Sequence, residues 1–206
     1  MSQDEQASGH IIDREKLPAK YPTHAHSADF WEELGRTVAA FGFLEEMLGK
    51  AIFALTGMKE FDPAADPDAL GEWVKMLEKT LTDQLGGLVL AYEKALSENE
   101  KTKEQDYTDL IKELKEAKDI RNVLCHGSWG KPDNQGRSLP KFVNRKLAVF
   151  ETLVDVEFLQ TTRKAVVDLT CDVLDSITSL GFQFPGSDGP GQVLWPKQMN
   201  LPNGIE

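Results

Sequence analysis

The segment from Asp119 to Trp129, Asp-Ile-Arg-Asn-Val-Leu-Cys-His-Gly-Ser-Trp, gathers three groups able to handle an anion and a proton. Arg121 carries a guanidinium that keeps its charge at any ordinary pH and must find an anion or several acceptors. His126 carries the side chain that titrates nearest neutrality. Asn122 adds an amide that donates and accepts. Their spacing decides which can act together. Asn122 and His126 lie four residues apart and share a helix face. Arg121 and His126 lie five apart, about 140° around a helical wheel. One straight helix therefore does not converge all three, unless it ends at His126, as Gly127 suggests, or a symmetry partner supplies a second copy.

Arg121 also occupies an unusual place in its own helix. It follows Leu114 by seven residues and precedes Cys125 by four, which puts it on the apolar stripe. An earlier helix offers a counter-charge in a matching position. Glu45 lies four residues after Phe41 and three before Leu48, inside its stripe, whereas Glu46 points away. Two readings follow. Glu45 and Arg121 are a structural ion pair that fixes helix register, or Glu45 holds an arginine aimed at a phosphate.

Other reactive residues carry weaker signals. His24-Ala-His26 is an HxH able to share a metal with a carboxylate, but no third ligand is indicated nearby, so neither a metal nor another cofactor is expected. Cys125 and Cys171 stand alone, without CxxC spacing, and read as reduced thiols of a cytoplasmic protein. Trp31 and Trp73 fall in apolar stripes and read as core.

The elements that must carry these residues read as all-α. After a lead-in over 1–26, in which Pro18 and Pro22 block a helix, Ser27 offers an N-cap. Phe30, Leu34, Val38, Phe41, Leu44, Leu48, Ile52 and Leu55 then recur at helical spacing as far as Gly57. Asp66-Pro67 starts a second stripe, Leu70, Trp73, Val74, Leu77, Leu81, Leu85, Leu88, Tyr92 and Ala95. It crosses Gly86-Gly87, where two glycines at roughly 1 kcal/mol each favour a bend or break. Tyr107, Leu110, Ile111, Leu114 and Ala117 mark a third helix ending near His126-Gly127. Leu159 to Leu180 mark a fourth, stopped by Gly181. Four such stripes can bury only against one another, which predicts a four-helix up-and-down bundle over 27–181. Between the third and fourth helices, LPKFVNRKLAVFETL is rich in β-formers and predicts a short β-like or irregular arm. The Pro- and Gly-rich tail over 182–206 is expected to pack little or to reach a neighbour.

The 206 residues suit one domain with modest tails. No apolar run is long enough for a membrane span, and the polar N-terminus lacks the apolar stretch of a secretory signal. A net charge of −11 argues against broad duplex binding. That charge is uneven. From Gly127 to Phe150 five bases, Lys131, Arg137, Lys141, Arg145 and Lys146, face Asp133 alone. Five less one is +4, which leaves −15 elsewhere; the arm is either a solvated basic loop or a surface for RNA phosphates.

The run Arg121-Asn122-Val123-Leu124-Cys125-His126 resembles the arginine, polar residue, spacer, histidine motif (Rx4–6H) of the HEPN superfamily, and FGFLEEMLGKAI resembles that superfamily's first helix. The resemblance covers roughly Ser27 to Gly181. It implies a helical bundle, usually a homodimer with the two motifs facing across the interface. Many members are metal-independent endoribonucleases of toxin–antitoxin or antiphage defence systems, with an antitoxin protein as partner; others are silent modules that bind RNA, nucleotides or proteins. Carried over, Arg121 holds the scissile phosphate and stabilises its developing charge. His126 acts as acid or base, and Asn122 orients the histidine or the phosphate. The products are a 2′,3′-cyclic phosphate and a 5′-hydroxyl. The acidic chain and the stretch of about 30 residues between motif and fourth helix depart from the pattern.

Overall fold

The computed structural model describes residues 9–57, 66–144 and 147–182. Among them are five α-helices, where the sequence pattern predicted four: α1 (Ala28–Thr56), α2 (Ala69–Thr82), α3 (Leu85–Glu98), α4 (Thr108–His126) and α5 (Val156–Thr178). The long second stripe is two helices. Asp83 and Gln84 adopt extended backbone between them, and the Gln84 N–H turns back onto the Asp83 carboxylate at 3.0 Å. Gly86 and Gly87 fall in the first turn of α3, beyond the break. A Cβ at Gly87 would collide with the Asp83 carboxylate, and one at Gly86 would lie 3.1 Å from the Lys118 Cδ. The glycines therefore let a side chain from each flank pass close to the start of α3.

The ends of α1, α4 and α5 follow local sequence signals. Ser27 Oγ accepts the Phe30 N–H at 3.2 Å and opens α1, which Gly57 closes. Gly127 caps α4. Asp155 caps α5 through the Phe158 N–H at 2.8 Å, and Gly181 follows it at φ +87.

Side-chain contacts give the directions. Along α1, Glu45 meets the start of α3 and the Leu55 carbonyl meets Asn99 just past its end, so these helices run parallel. The Leu159 carbonyl meets Thr37, and Ser176 meets Tyr92 further along, so α5 is parallel as well. Lys115 to Glu93 and Arg121 to Glu45 set α4 antiparallel to both α3 and α1. On the outside, the Trp73 indole donates to Thr56 Oγ1 and Thr80 lies against Gly49, so α2 runs antiparallel to α1.

The core is drawn from α1, α3, α4 and α5. Phe41, Leu44, Leu48, Ile52, Leu88, Leu114, Leu159 and Val173 are all buried within it. Each large aliphatic side chain removed from water contributes roughly 1.5–3 kcal/mol. α2 adds little: Thr80 is its one buried residue among those described, and Leu70 and Leu81 are exposed. Trp73 is half-buried, its ring 5.7 Å from that of Phe53. The two polar hubs between α1 and α5 are saturated. Glu33 takes the Arg163 guanidinium, and the Thr37 hydroxyl is within 3.2 Å of the Leu159 carbonyl.

Between α4 and α5 the arm makes a two-stranded ladder, β1 (Ser128–Trp129) against β2 (Pro140–Lys141), and isolated antiparallel bridges at Ser138–Val154 and Val143–Val149. The lead-in holds this arm. The Trp31 indole donates to the Thr23 carbonyl at 2.7 Å, and His26 Nε2 lies 2.9 Å from the buried Ser138 Oγ. The His26 ring stacks on Phe30 at 4.2 Å and meets the edges of Trp31 and Trp129. This burial lowers the His26 pKa below its ordinary value.

Candidate functional site

α4 stays helical through His126, so the wheel geometry holds to its end and the three motif residues divide between two environments. Arg121 turns inward. Its Nη2 lies 3.3 Å from Glu45 Oε1, the pairing their stripe positions predict, and its Nη1 lies 3.5 Å from Asn122 Oδ1. The same Glu45 oxygen accepts the Leu85 N–H at 3.2 Å. Gln84, the N-cap residue of α3, contributes no side-chain cap, so a carboxylate from α1 does that work. Glu45 thus ties α1, α3 and α4 at one point, its charge facing both a guanidinium and the positive end of a helix.

Asn122 and His126 face outward into a cleft of about 620 Å³. One wall is the start of α3, with Asp83, Gln84, Gly86 and Gly87; the floor is α4, with Lys118, Asp119, Asn122 and His126; the far wall is the arm, with Phe142, Val143 and Asn144. Arg121 and Glu45 do not line it. Their tie lies behind it and reaches it through Asn122 and through Leu85, which lines the cleft and gives its N–H to Glu45. The His126 imidazole is exposed, and among the described residues it takes part in no hydrogen bond, ion pair or ring contact. A histidine so placed is open to exchange a proton with whatever enters the cleft.

Lys118 is the cation that does line the cleft, and sequence reasoning missed it. The signal was present, since Lys118, Asn122 and His126 follow at four-residue intervals on one face of α4. Lys118 Nζ lies 3.1 Å from Asp119 Oδ1. With Asp83 and Asp119 on its rim, the cleft presents two carboxylates against one ammonium.

The arm bases lie elsewhere. Lys131, Arg137 and Lys141 are not among the cleft residues, and Arg137 is bound to Asp133 at 2.9 Å within its own turn. Arg145 and Lys146 lie outside the described residues, as does the tail beyond Phe182. Cys125 and Cys171 are exposed free thiols. His26 is spent on the arm, and among the described residues no three His, Cys, Asp or Glu side chains gather as a metal requires. No helix among them is long and apolar enough to cross a membrane. No family model, curated protein or solved structure matches the chain.

Proposed function

We propose that the protein is a metal-independent endoribonuclease of the HEPN type, acting as a homodimer in the cytoplasm within a toxin–antitoxin or antiphage system. In this reading α1, α3, α4 and α5 form the bundle that carries the motif and α2 lies on its flank, although α1, α3 and α5 run parallel and do not alternate as an up-and-down bundle would. The observation that carries it is His126, an imidazole with no partner among the described residues, one turn from Asn122 on the floor of an open cleft. His126 takes the proton of a ribose 2′-hydroxyl, the oxygen attacks phosphorus to close the 2′,3′-cyclic phosphate, and the P–O5′ bond breaks as the 5′-oxygen takes that proton back from the His126 imidazolium. Lys118 faces the phosphate, and Arg121 acts from behind by fixing Asn122.

A second reading is favoured by the cleft's charge. Two carboxylates at the rim and an arginine committed to Glu45 suit a silent module that binds a nucleotide, RNA or protein. Cleavage of mixed cellular RNA by pure wild type and His126→Ala, with and without EDTA, separates them. The ribonuclease loses about 10²–10⁴-fold with His126→Ala and is indifferent to EDTA. Equal cleavage by wild type and a folded His126→Ala rejects the enzyme. RNA bound but uncut by both establishes the binding module.

A further inference from the structure

Two residues of the cleft have no part in moving a proton. Asp83 lines it from the start of α3 and Phe142 from the arm, on opposite walls. Both are out of place in a site for phosphate alone, since a carboxylate repels a phosphate and a phenyl ring gains nothing from one.

The other rim carboxylate is already answered, Asp119 by Lys118 at 3.1 Å. Asp83 has no cation. Its Oδ1 accepts the Gln84 N–H at 3.0 Å, which seats the carboxylate against Gly87, and among the described residues it meets no other partner. The Lys118 stem lies on Gly86, the neighbouring position. The start of α3 therefore holds a cation and an anion side by side, one for each end of a ligand. Phe142 is half-buried. Its cross-strand neighbour Phe150, whose N–H meets the Phe142 carbonyl at 3.2 Å, packs against the core, whereas Phe142 does not. Among the described residues the Phe142 ring meets no other ring. An unstacked ring in a cleft is a platform for a flat base. At about 620 Å³ the cleft suits one unpaired nucleotide.

The carboxylate says which base. Ionised, it only accepts, through two oxygens held side by side. Guanine alone carries two adjacent donors on its pairing edge, N1–H and N2–H, which such a pair of oxygens meets in parallel. Adenine, cytosine and uracil each place one donor group there, next to a lone pair that the second oxygen repels.

We infer that the cleft selects guanine, with the base stacked on Phe142, its N1–H and N2–H given to Asp83, and the phosphate at Lys118 and His126. The inference rests on a nucleotide entering this cleft, as the ribonuclease reading requires. Its readout is binding, so a protein that cuts no RNA leaves it standing.

Isothermal titration of the full chain with the 3′-monophosphates of guanosine, inosine and adenosine tests it. Inosine keeps N1–H and lacks the amino group. The guanosine nucleotide is expected to bind about tenfold or more tighter than either, the weight of a hydrogen bond to a charged group. Asp83→Asn keeps the shape, turns one acceptor into a donor and erases the preference, with circular dichroism to confirm the fold. Phe142→Leu weakens all three about fivefold or more, as lost stacking does. His126→Ala keeps the preference even where it abolishes cleavage. Three outcomes in the wild type or Asp83→Asn overturn the inference: equal affinity for the three nucleotides, binding of none, or a variant that gains affinity for all three alike, as it would if the carboxylate only repelled phosphate. Unchanged binding by Phe142→Leu overturns it too. RNA cut by a wild type that binds the three equally rejects the guanine site and keeps the ribonuclease.

Discussion

Replacing Glu45 with alanine should destabilise the protein more than replacing Arg121, although both delete one partner of the same ion pair. Arg121→Ala leaves a carboxylate that still accepts the Leu85 N–H and faces the start of α3. The two side chains keep 17% and 23% of their surface, so the penalty sits below the roughly 3–5 kcal/mol of a fully buried broken pair, at about 2–3 kcal/mol. Glu45→Ala strands the guanidinium and also removes the carboxylate that accepts the Leu85 N–H, a cap loss of about 1 kcal/mol. Its total is then about 3–4 kcal/mol. Glu45→Gln keeps an oxygen for Leu85 and loses only the charge, about 1 kcal/mol. Urea unfolding of the three variants and of the Glu45→Ala, Arg121→Ala double variant gives the order and the coupling, expected at about 1–2 kcal/mol. Arg121→Ala equal to or costlier than Glu45→Ala, or a coupling under about 0.3 kcal/mol, refutes the tie.

His126→Ala should lower stability by about 1 kcal/mol or less, since its ring is exposed and meets no partner among the described residues; a drop of several kcal/mol in the melting curve would give it a structural role instead. His26 has its folded pKa depressed below the ordinary 6.5 by burial, so the unfolded chain binds its proton first. Its contribution is complete above pH 6.5 and fades as pH falls through the folded value. The wild-type melting temperature should therefore fall more steeply below pH 6.5 than that of His26→Gln, and parallel curves would contradict this. Tyr92→Phe removes the donor that meets Ser176 Oγ at 2.6 Å in the core and should cost about 1–2 kcal/mol in urea unfolding. A neutral change would mean that Ser176 finds another partner.

Much of the helical layout was legible because caps and stops are local chemistry. Ser27, Gly57, Gly127 and Gly181 each stand where a helix begins or ends. The Glu45–Arg121 contact was legible for a related reason: a charge placed on an apolar stripe must meet its opposite on another. What periodicity hid was the division of α2 from α3. Their stripes stay in phase across Asp83 and Gln84, and the glycines that drew attention lie inside the next helix. Periodicity also assigned the α2 stripe to the core, whereas Leu70 and Leu81 face water, because amphipathic spacing does not reveal which side of a helix finds a neighbour. The docking of the lead-in depends on His26 meeting Ser138, 112 residues away, and no local pattern reports that. The division of the motif, Arg121 inward and Asn122 and His126 outward, follows from the 140° on the wheel.

The Thr37–Leu159 and Glu33–Arg163 contacts join positions 122 and 130 residues apart. During synthesis at roughly 5–20 residues per second, the first helix therefore emerges about 6–25 s before the last one exists to cover it. For that interval the face of α1 around Thr37 lacks the helix that covers it. The nascent chain thus offers a chaperone, or an early-acting inhibitor, a sticky surface that the finished protein no longer shows.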